Sequence, residues 1–156
     1  MNASTTPDPS ASAKLLGYGG LIPFVLLAFG AWFAPADWHP YIGFALLGYG
    51  ATIASFLGAI HWGLAMRDEA AQSRQSLLVL GWGVVPSLIA WIALMVGLVA
   101  GSANALFVIA ALLWVCFAVD RRVYPHFNVQ AWLPLRFALT LVASVCCVAG
   151  AWGMLR

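Results

Sequence analysis

His61 is the side chain in this sequence best suited to chemistry, because it is the one histidine of three that falls inside an apolar segment. The surrounding stretch, residues 51–69, reads ATIASFLGAIHWGLAMRDE and ends in charged residues. An imidazole can gain or lose a proton near neutral pH, so His61 could be a proton site or a ligand contact. It could equally be a neutral ring that is hydrogen-bonded to a neighbouring backbone or hydroxyl group. Metal ligation has the least support, since no second ligand stands at a helical spacing; we predict neither a metal nor a cofactor.

Aromatic and hydroxyl side chains in the next apolar segment could complete a binding site. The motif WGVVPSLIAW contains Pro86, whose missing N–H should leave the carbonyl of Trp82 unpaired and kink a helix. The hydroxyl of Ser87 could satisfy that carbonyl. The alternative is a kink that serves packing alone. If a pocket forms here, the predicted ligand-binding residues are His61, Trp62, Trp82, Ser87 and Arg136.

Asp120 and Arg136 are charged residues at the edges of two further apolar segments. An arginine in the first turn of a membrane helix often extends to the lipid headgroups. The alternative is an ion pair with Asp120 that brackets the loop between the two segments. No Ser/His/Asp set, pair of carboxylates inside an apolar segment or glycine-rich phosphate loop occurs, so nothing in the sequence argues for an enzyme.

The composition identifies the solvent that surrounds most of this chain. Of its 156 residues, 63% are hydrophobic and 8% are charged, whereas soluble domains have about 25% charged residues. There are too few charges to cover a globule of this size, so we predict that the main partner is the lipid bilayer. The net charge of +2 is too small to indicate nucleic-acid binding.

Five apolar segments are long enough, or nearly so, to cross a bilayer about 30 Å thick. The sequence therefore predicts an all-α integral membrane protein, a bundle of five transmembrane helices. A polar, disordered tail over residues 1–14 should precede a single domain over residues 15–156. The predicted spans are Leu15–Ala34, Tyr41–Met66, Leu77–Ala100, Ala103–Val119 and Leu133–Leu155.

Basic residues predict the orientation of the bundle. One lysine and five arginines fall on one face of the membrane, and Arg156 alone falls on the other. The positive-inside rule then predicts a cytoplasmic N-terminus and a periplasmic C-terminus. We expect the protein to lie in the bacterial inner (cytoplasmic) membrane. The predicted ligand-binding residues all lie in the cytoplasmic half under this topology. The six basic residues are Lys14, Arg67, Arg74, Arg121, Arg122 and Arg136.

The second span has two faces at the helical period of about 100° per residue. Its small residues should face other helices, because small side chains let backbones approach closely in lipid. Trp62 projects into the middle of that small face and His61 lies at its border. The opposite face is bulky and should contact lipid; it contains Tyr49, Ile53, Phe56, Leu57, Ile60 and Leu64.

The segments SFLGAIHWGLAMR, WGVVPSLIAW and DRR, followed by a Trp-initiated LR–T segment, resemble a family of small inner-membrane proteins of unknown function. Its animal member is called transmembrane protein 69. The resemblance implies a membrane location and a shared bundle, without an activity. It marks as signature positions Ser55, Gly58, His61, Trp62, Gly63, Pro86, Ser87, Trp91, Asp120, Arg121 and Arg136.

Three functional hypotheses follow from these observations. The first is a non-catalytic binding, scaffold or assembly role toward another inner-membrane protein, because little of the chain lies outside the spans. The alternative is a carrier or receptor for a small hydrophobic or anionic ligand, with a pocket around His61 and Trp62. A proton-coupled transporter using His61 and Asp120 is weaker, since transport needs polar groups along the whole path.

Overall fold

The computed structural model describes residues 8–67 and 74–156. Within these two ranges the regular structure is helical and no strand occurs. In this described part of the chain, five segments are long and apolar enough to cross a membrane, and the first is built from two consecutive helices. The predicted all-α fold with five spans is therefore confirmed. The helices are α1 (Ala11–Gly19), α2 (Ile22–Phe33), α3 (His39–Arg67), α4 (Arg74–Ala100), α5 (Ser102–Val123) and α6 (Leu133–Leu155).

The first span, predicted as one segment over Leu15–Ala34, is broken between α1 and α2. Pro23 has no N–H and cannot close a helical hydrogen bond with the carbonyl of Gly19. The chain turns at this point, and the hydroxyl of Tyr49 donates to the carbonyl oxygen of Gly20 at 2.8 Å. That bond from α3 satisfies a backbone group that the break would otherwise leave unpaired in an apolar environment.

Helix α1 begins earlier than the predicted tail allows. Ser10 is its N-cap, and the Ser10 hydroxyl accepts a hydrogen bond from the N–H of Ala13 at 3.1 Å. The last four residues of the predicted tail, residues 11–14, therefore belong to a capped helix. Residues 1–7 of that tail lie outside the described part of the chain.

Helix α3 is the centre of the bundle and contacts α2, α4, α5 and α6. Its buried positions are rich in small residues such as Gly50, Ala54 and Gly58. Large apolar side chains elsewhere point outward; Val99 on α4 is 91% exposed. Small residues inside and bulky apolar residues outside are expected of helices that pack against one another in lipid.

Helices α3 and α4 touch through their backbones. A Cβ atom on Gly58 would collide with the carbonyl oxygen of Gly83, and a Cβ on Gly83 would collide with the indole of Trp62. The indole N–H of Trp62 donates to the carbonyl oxygen of Leu80 at 2.9 Å. Trp62 is 42% exposed, so it closes this seam from its edge and does not occupy the middle of the inward face as predicted.

We expect Trp62→Phe to lower the free energy of unfolding by about 1 kcal/mol, since it removes one interhelical hydrogen bond. The measurement is reversible unfolding of the purified protein in mixed micelles. Trp91→Phe is the matched control: Trp91 lies on α4, is 58% exposed and should lose less than about 0.5 kcal/mol. Equal losses in the two variants would argue against a stabilising role for the Trp62–Leu80 bond.

Short connections fix how the later helices meet. Gly101 joins α4 to α5 with a φ of 89°, a conformation that favours glycine. Two 3₁₀ turns, Tyr124–Phe127 and Gln130–Trp132, join α5 to α6, with Asn128 between them in the left-handed region. This connection lies at what we call the basic end of the bundle, where α1 begins, α3 and α5 end, and α6 begins. The basic end carries Lys14, Arg67, Arg121, Arg122 and Arg136.

Candidate functional site

Asp120 and Arg136 form a buried ion pair at the basic end. The guanidinium of Arg136 donates to Oδ2 of Asp120 from Nε at 2.9 Å and from Nη2 at 2.7 Å. The two residues are 1% and 7% exposed, respectively. The ion pair that the sequence offered as the alternative for Arg136 is present, and the ordinary expectation, in which Arg136 extends to the headgroups, is wrong.

His61 joins this pair from α3. Its ring is 1% exposed, with Nδ1 at 3.2 Å from the carbonyl oxygen of Leu57 and Nε2 at 3.4 Å from Oδ1 of Asp120. Neither Nε2 of His61 nor Oδ1 of Asp120 has a hydrogen-bond partner among the described residues. Three helices thus bring His61, Asp120 and Arg136 together; we call these three residues the polar triad.

The ends of α5 and α6 explain how the triad forms. Asp120 lies in the last turn of α5 and Arg136 in the first turn of α6, and the compact connection between these helices turns the chain back on itself. Tyr124 lies one helical turn after Asp120 and is 3% exposed, with its ring centroid 6.4 Å from that of His61. Sequence reasoning placed Tyr124 in a loop and missed it. The four-residue spacing from Asp120 was the available signal.

A lateral cavity of about 550 Å³ opens beside the triad. It lies between the first span, α3 and α6, with Leu113 of α5 and the α5–α6 connection completing the wall. Its volume falls within the usual range for small-molecule sites of about 300–1,000 Å³. The apolar lining includes Leu16, Gly17, Gly20, Leu21, Phe24, Ile53, Phe56, Leu57, Ile60, Leu64, Leu135, Leu139 and Ala143.

Among the described residues, four with charged or hydroxyl side chains line the cavity toward its basic end. They are Arg67, Tyr124, Arg136 and Thr140. The hydroxyl of Thr140 is buried and has no hydrogen-bond partner among the described residues. A guanidinium has five N–H donors, and the two bonds to Asp120 leave donors of Arg136 for a further acceptor. The cavity is therefore amphipathic, with a long apolar wall and a cationic, hydrogen-bonding end.

The bulky face of α3 lines this cavity, which corrects the prediction that it contacts lipid. Leu57 and Leu64 are buried at 5% and 8% exposure, whereas Phe56 is largely exposed. The reason is the first span, which packs beside this face and encloses a space against it. A helical wheel shows the faces of one helix and carries no information on its neighbours.

The five predicted ligand-binding residues do not share one pocket. Arg136 lines the cavity, and His61 lies behind it against Asp120. Trp62 is at the α3–α4 seam. On α4, the Trp82 indole N–H is buried without a partner among the described residues, and the Ser87 hydroxyl donates to the carbonyl of Val84 at 3.0 Å. The expected bond from Ser87 to the Trp82 carbonyl was therefore wrong.

The remaining signature positions have varied surroundings. The hydroxyl of Ser55 donates to the carbonyl of Ala51 within α3 at 2.9 Å. Gly58 and Pro86 are buried where α3 meets α4. Gly63, Trp91 and Arg121 are exposed.

Metal-binding clusters are not found in residues 8–67 and 74–156: no three His, Cys, Asp or Glu side chains meet there in a way that could hold an ion. The three cysteines are free and buried. Cys116 lies one turn before Asp120 on α5, so a thiol lies next to the triad. Helix α5 has no carboxylate besides Asp120.

Comparison with known proteins places residues 9–152 in the family described as "Protein of unknown function (DUF3429)". A curated relative, "Transmembrane protein 69" of Xenopus tropicalis, is 38% identical over 88 residues. That match covers 56% of this chain and 34% of the relative, so the aligned part spans about a third of the relative's length. No solved structure matches.

Proposed function

We propose that this chain, which belongs to the DUF3429 family of unknown function, binds an amphipathic small molecule with an anionic head group. The observation that carries this proposal is the cavity of about 550 Å³, apolar along its length and lined by Arg67, Tyr124, Arg136 and Thr140 at one end. This role corresponds to the carrier or receptor hypothesis, with the site moved from His61 and Trp62 to the face of α3 beside α6.

The lining of the cavity indicates the chemistry of the ligand. Its apolar wall, formed by side chains such as Leu16, Ile53 and Leu139, suits one or two hydrocarbon chains. The donors left on Arg136 and the buried hydroxyl of Thr140 suit the oxygens of a carboxylate, sulfonate or phosphate. Arg67 is exposed at the end of α3 and adds positive charge. An anionic amphiphile satisfies these groups better than a neutral hydrocarbon does.

A substitution that fills the cavity tests this proposal. We expect Leu139→Trp to reduce binding of hexadecanesulfonate by about tenfold or more, because the indole would occupy the apolar wall. Binding would be measured by native mass spectrometry of the full chain in detergent, together with extraction of co-purified lipids. Hexadecanol, which has the same chain without the charge, should bind more weakly than the sulfonate to the unmodified protein.

Leu141→Trp is the matched control for Leu139→Trp. Leu141 lies on the same helix and is 41% exposed, and it lines a different surface groove. Its substitution should leave sulfonate binding unchanged. If all three proteins bind the sulfonate equally, or none binds it, the cavity is not the proposed site.

An assembly role is the second candidate, favoured by a shallow groove distant from the basic end. Three tryptophans, Trp32, Trp114 and Trp152, line it together with small residues of α5 and α6. The indole N–H of Trp114 already donates to Ser144 and that of Trp32 to the Ala149 carbonyl, so the groove presents an apolar surface. The occupant we propose is a transmembrane helix of another membrane protein, since small residues permit close helix packing.

A photo-crosslinker introduced in place of Val145 tests the groove in intact membranes. We expect one discrete crosslinked polypeptide. An excess of the variant Ala111→Trp, which carries no crosslinker and whose groove is blocked, should not reduce the yield of this product. The control is the crosslinker at Val99, which is 91% exposed and lies away from the groove. Identical products at the two positions would contradict a specific helix partner.

The orientation and compartment are part of the same proposal. The basic end carries Lys14, Arg67, Arg121, Arg122 and Arg136, and Arg156 lies at the opposite end. This imbalance supports a basic end on the cytoplasmic side of a bacterial inner membrane. A membrane-impermeant thiol reagent added to intact cells should not label Ser10→Cys. Labelling of this residue would mean that the protein has the opposite orientation.

A further inference from the structure

The two ring nitrogens of His61 face different kinds of acceptor. Nδ1 is 3.2 Å from the carbonyl oxygen of Leu57, one turn earlier on α3. A carbonyl oxygen has no hydrogen to donate, so this contact is favourable only when Nδ1 carries the proton. A neutral ring protonated on Nδ1 leaves Nε2 as a bare acceptor.

Asp120 presents a second bare acceptor to that nitrogen. Both hydrogen bonds from Arg136 go to Oδ2, and Oδ1 points to Nε2 of His61 at 3.4 Å. Both Nε2 and Oδ1 are buried without any partner among the described residues. Two facing lone pairs at this distance repel each other, whereas one added proton converts the contact into a hydrogen bond.

The surroundings of this pair come from three helices. From α6, Arg136 already compensates the negative charge of Asp120. From α5 and the following turn come Cys116 and Tyr124, both buried and uncharged in their ordinary protonated forms. Helix α4 packs against α3 and has no titratable side chain from Leu77 to Ala100. The described residues around His61 thus include one carboxylate, and that carboxylate has one oxygen free.

The pair lies close enough to the basic end to exchange protons with water. His61 precedes Arg67, the last residue of α3, by about 9 Å at 1.5 Å per residue. Asp120 is within the last turn of α5. An ionisable group costs most at the bilayer centre, and neither residue is there.

We propose that Nε2 of His61 and Oδ1 of Asp120 form a proton-binding site that takes up one proton from the aqueous side at the basic end. The bound proton lies between the two atoms, as an imidazolium facing a carboxylate or as a neutral ring facing a carboxylic acid. Either arrangement gives the triad one positive charge more than the deprotonated state. The site is separate from the cavity, but it shares Arg136 with it.

Nitrogen NMR of the full chain in lipid discs tests this site directly. With ¹⁵N-histidine and the substitutions His39→Gln and His126→Gln, the remaining signals come from His61. We expect Nδ1 to be protonated at every pH from 5.5 to 9. At the acid end, either Nε2 is also protonated or ¹³C labelling shows the Asp120 carboxyl as the acid form; at the alkaline end this proton is lost.

Two results would overturn the proposal. A neutral ring protonated on Nε2 and bare on Nδ1 across the whole range would mean that His61 simply donates to Asp120. A ring protonated on Nδ1 alone beside an ionised Asp120, again at every pH, would mean that no proton binds. Both readouts use unmodified His61 and Asp120, so neither depends on whether a triad variant folds.

If His61 and Asp120 only stabilised the fold, binding of an anion in the cavity would not depend on this proton. If the proposed ligand site is correct, the extra positive charge beside Arg136 should make hexadecanesulfonate bind about tenfold more tightly at pH 6 than at pH 9, by linkage. The sulfonate keeps its charge over this range, and Arg67→Gln, at the cavity end, should weaken binding equally at both pH values. Failure of the sulfonate to bind would defeat the proposed function and leave the NMR result to decide the proton site.

Discussion

Asp120→Asn should lower the free energy of unfolding by about 3 kcal/mol or more, because it removes the carboxylate from a buried ion pair and leaves the charge of Arg136 uncompensated. Asp120 and Arg136 are 1% and 7% exposed and share two hydrogen bonds. Asparagine keeps the size of the side chain, so the loss reports charge and not volume. The measurement is the shift of the unfolding midpoint in mixed micelles, with the helical content followed by circular dichroism.

Asp37→Asn is the matched control for the loss of charge. Asp37 is exposed in the short turn before α3, and its substitution should cost less than about 0.5 kcal/mol. The double variant Asp120→Leu/Arg136→Met should be more stable than Asp120→Asn, since removing both charges leaves none unpaired in the core. A double variant that is less stable than Asp120→Asn would mean that the pair contributes more than the cost of burying it.

The spans could be predicted from the sequence because each depends on local composition. An uninterrupted apolar run the length of a bilayer is visible without knowledge of its neighbours. The break at Gly20 has a local signal too: Pro23 indicates a kink in the first span, but the sequence around it does not decide what the kink does. The hydrogen bond from Tyr49 that satisfies the break comes from another helix, so it could not be read from the first span.

The triad could be predicted in part. Asp120 and Arg136 lie at facing ends of consecutive helices, so the chain itself brings them near each other. His61 comes from a helix that is distant in sequence, and its approach to Asp120 depends on how α3 packs against α5. The helical wheel placed His61 at the border of the packed face, which was consistent with burial but named no partner.

The cavity could not be predicted, because it is a space that several helices leave between them. Ile53 and Leu57 looked like lipid-facing residues from α3 alone, and only the position of the first span shows that they line a pocket. The predicted pocket around His61 and Trp62 depended on the same kind of information, because it also required a space between helices. Trp62 lies at the seam between α3 and α4, where the close contact of Gly58 and Gly83 leaves no room.

Gly58→Leu should prevent normal packing of α3 against α4 and lower the free energy of unfolding by at least about 3 kcal/mol, the upper part of the range for overpacked cores. Even a Cβ atom at this position would collide with the carbonyl oxygen of Gly83. Backbone atoms in a helix cannot rotate away as the end of a side chain can, so the two helices must separate. Gly58→Ala should already show part of this loss in the same unfolding assay.

Gly63→Ala and Gly48→Ala are the matched controls for Gly58→Ala on the same helix. A Cβ at either position meets no atom within 4 Å, so alanine should stabilise α3 by about 0.5–1 kcal/mol through its higher helix propensity. The same glycine-to-alanine change would then lower the free energy of unfolding at Gly58 and raise it at Gly63 and Gly48. That difference would separate the effect of close packing from the effect of helix propensity. If Gly58→Ala also stabilised the protein, the α3–α4 seam would have to be looser than the contact between Gly58 and Gly83 requires, and Trp62 would lose its fixed place beside it.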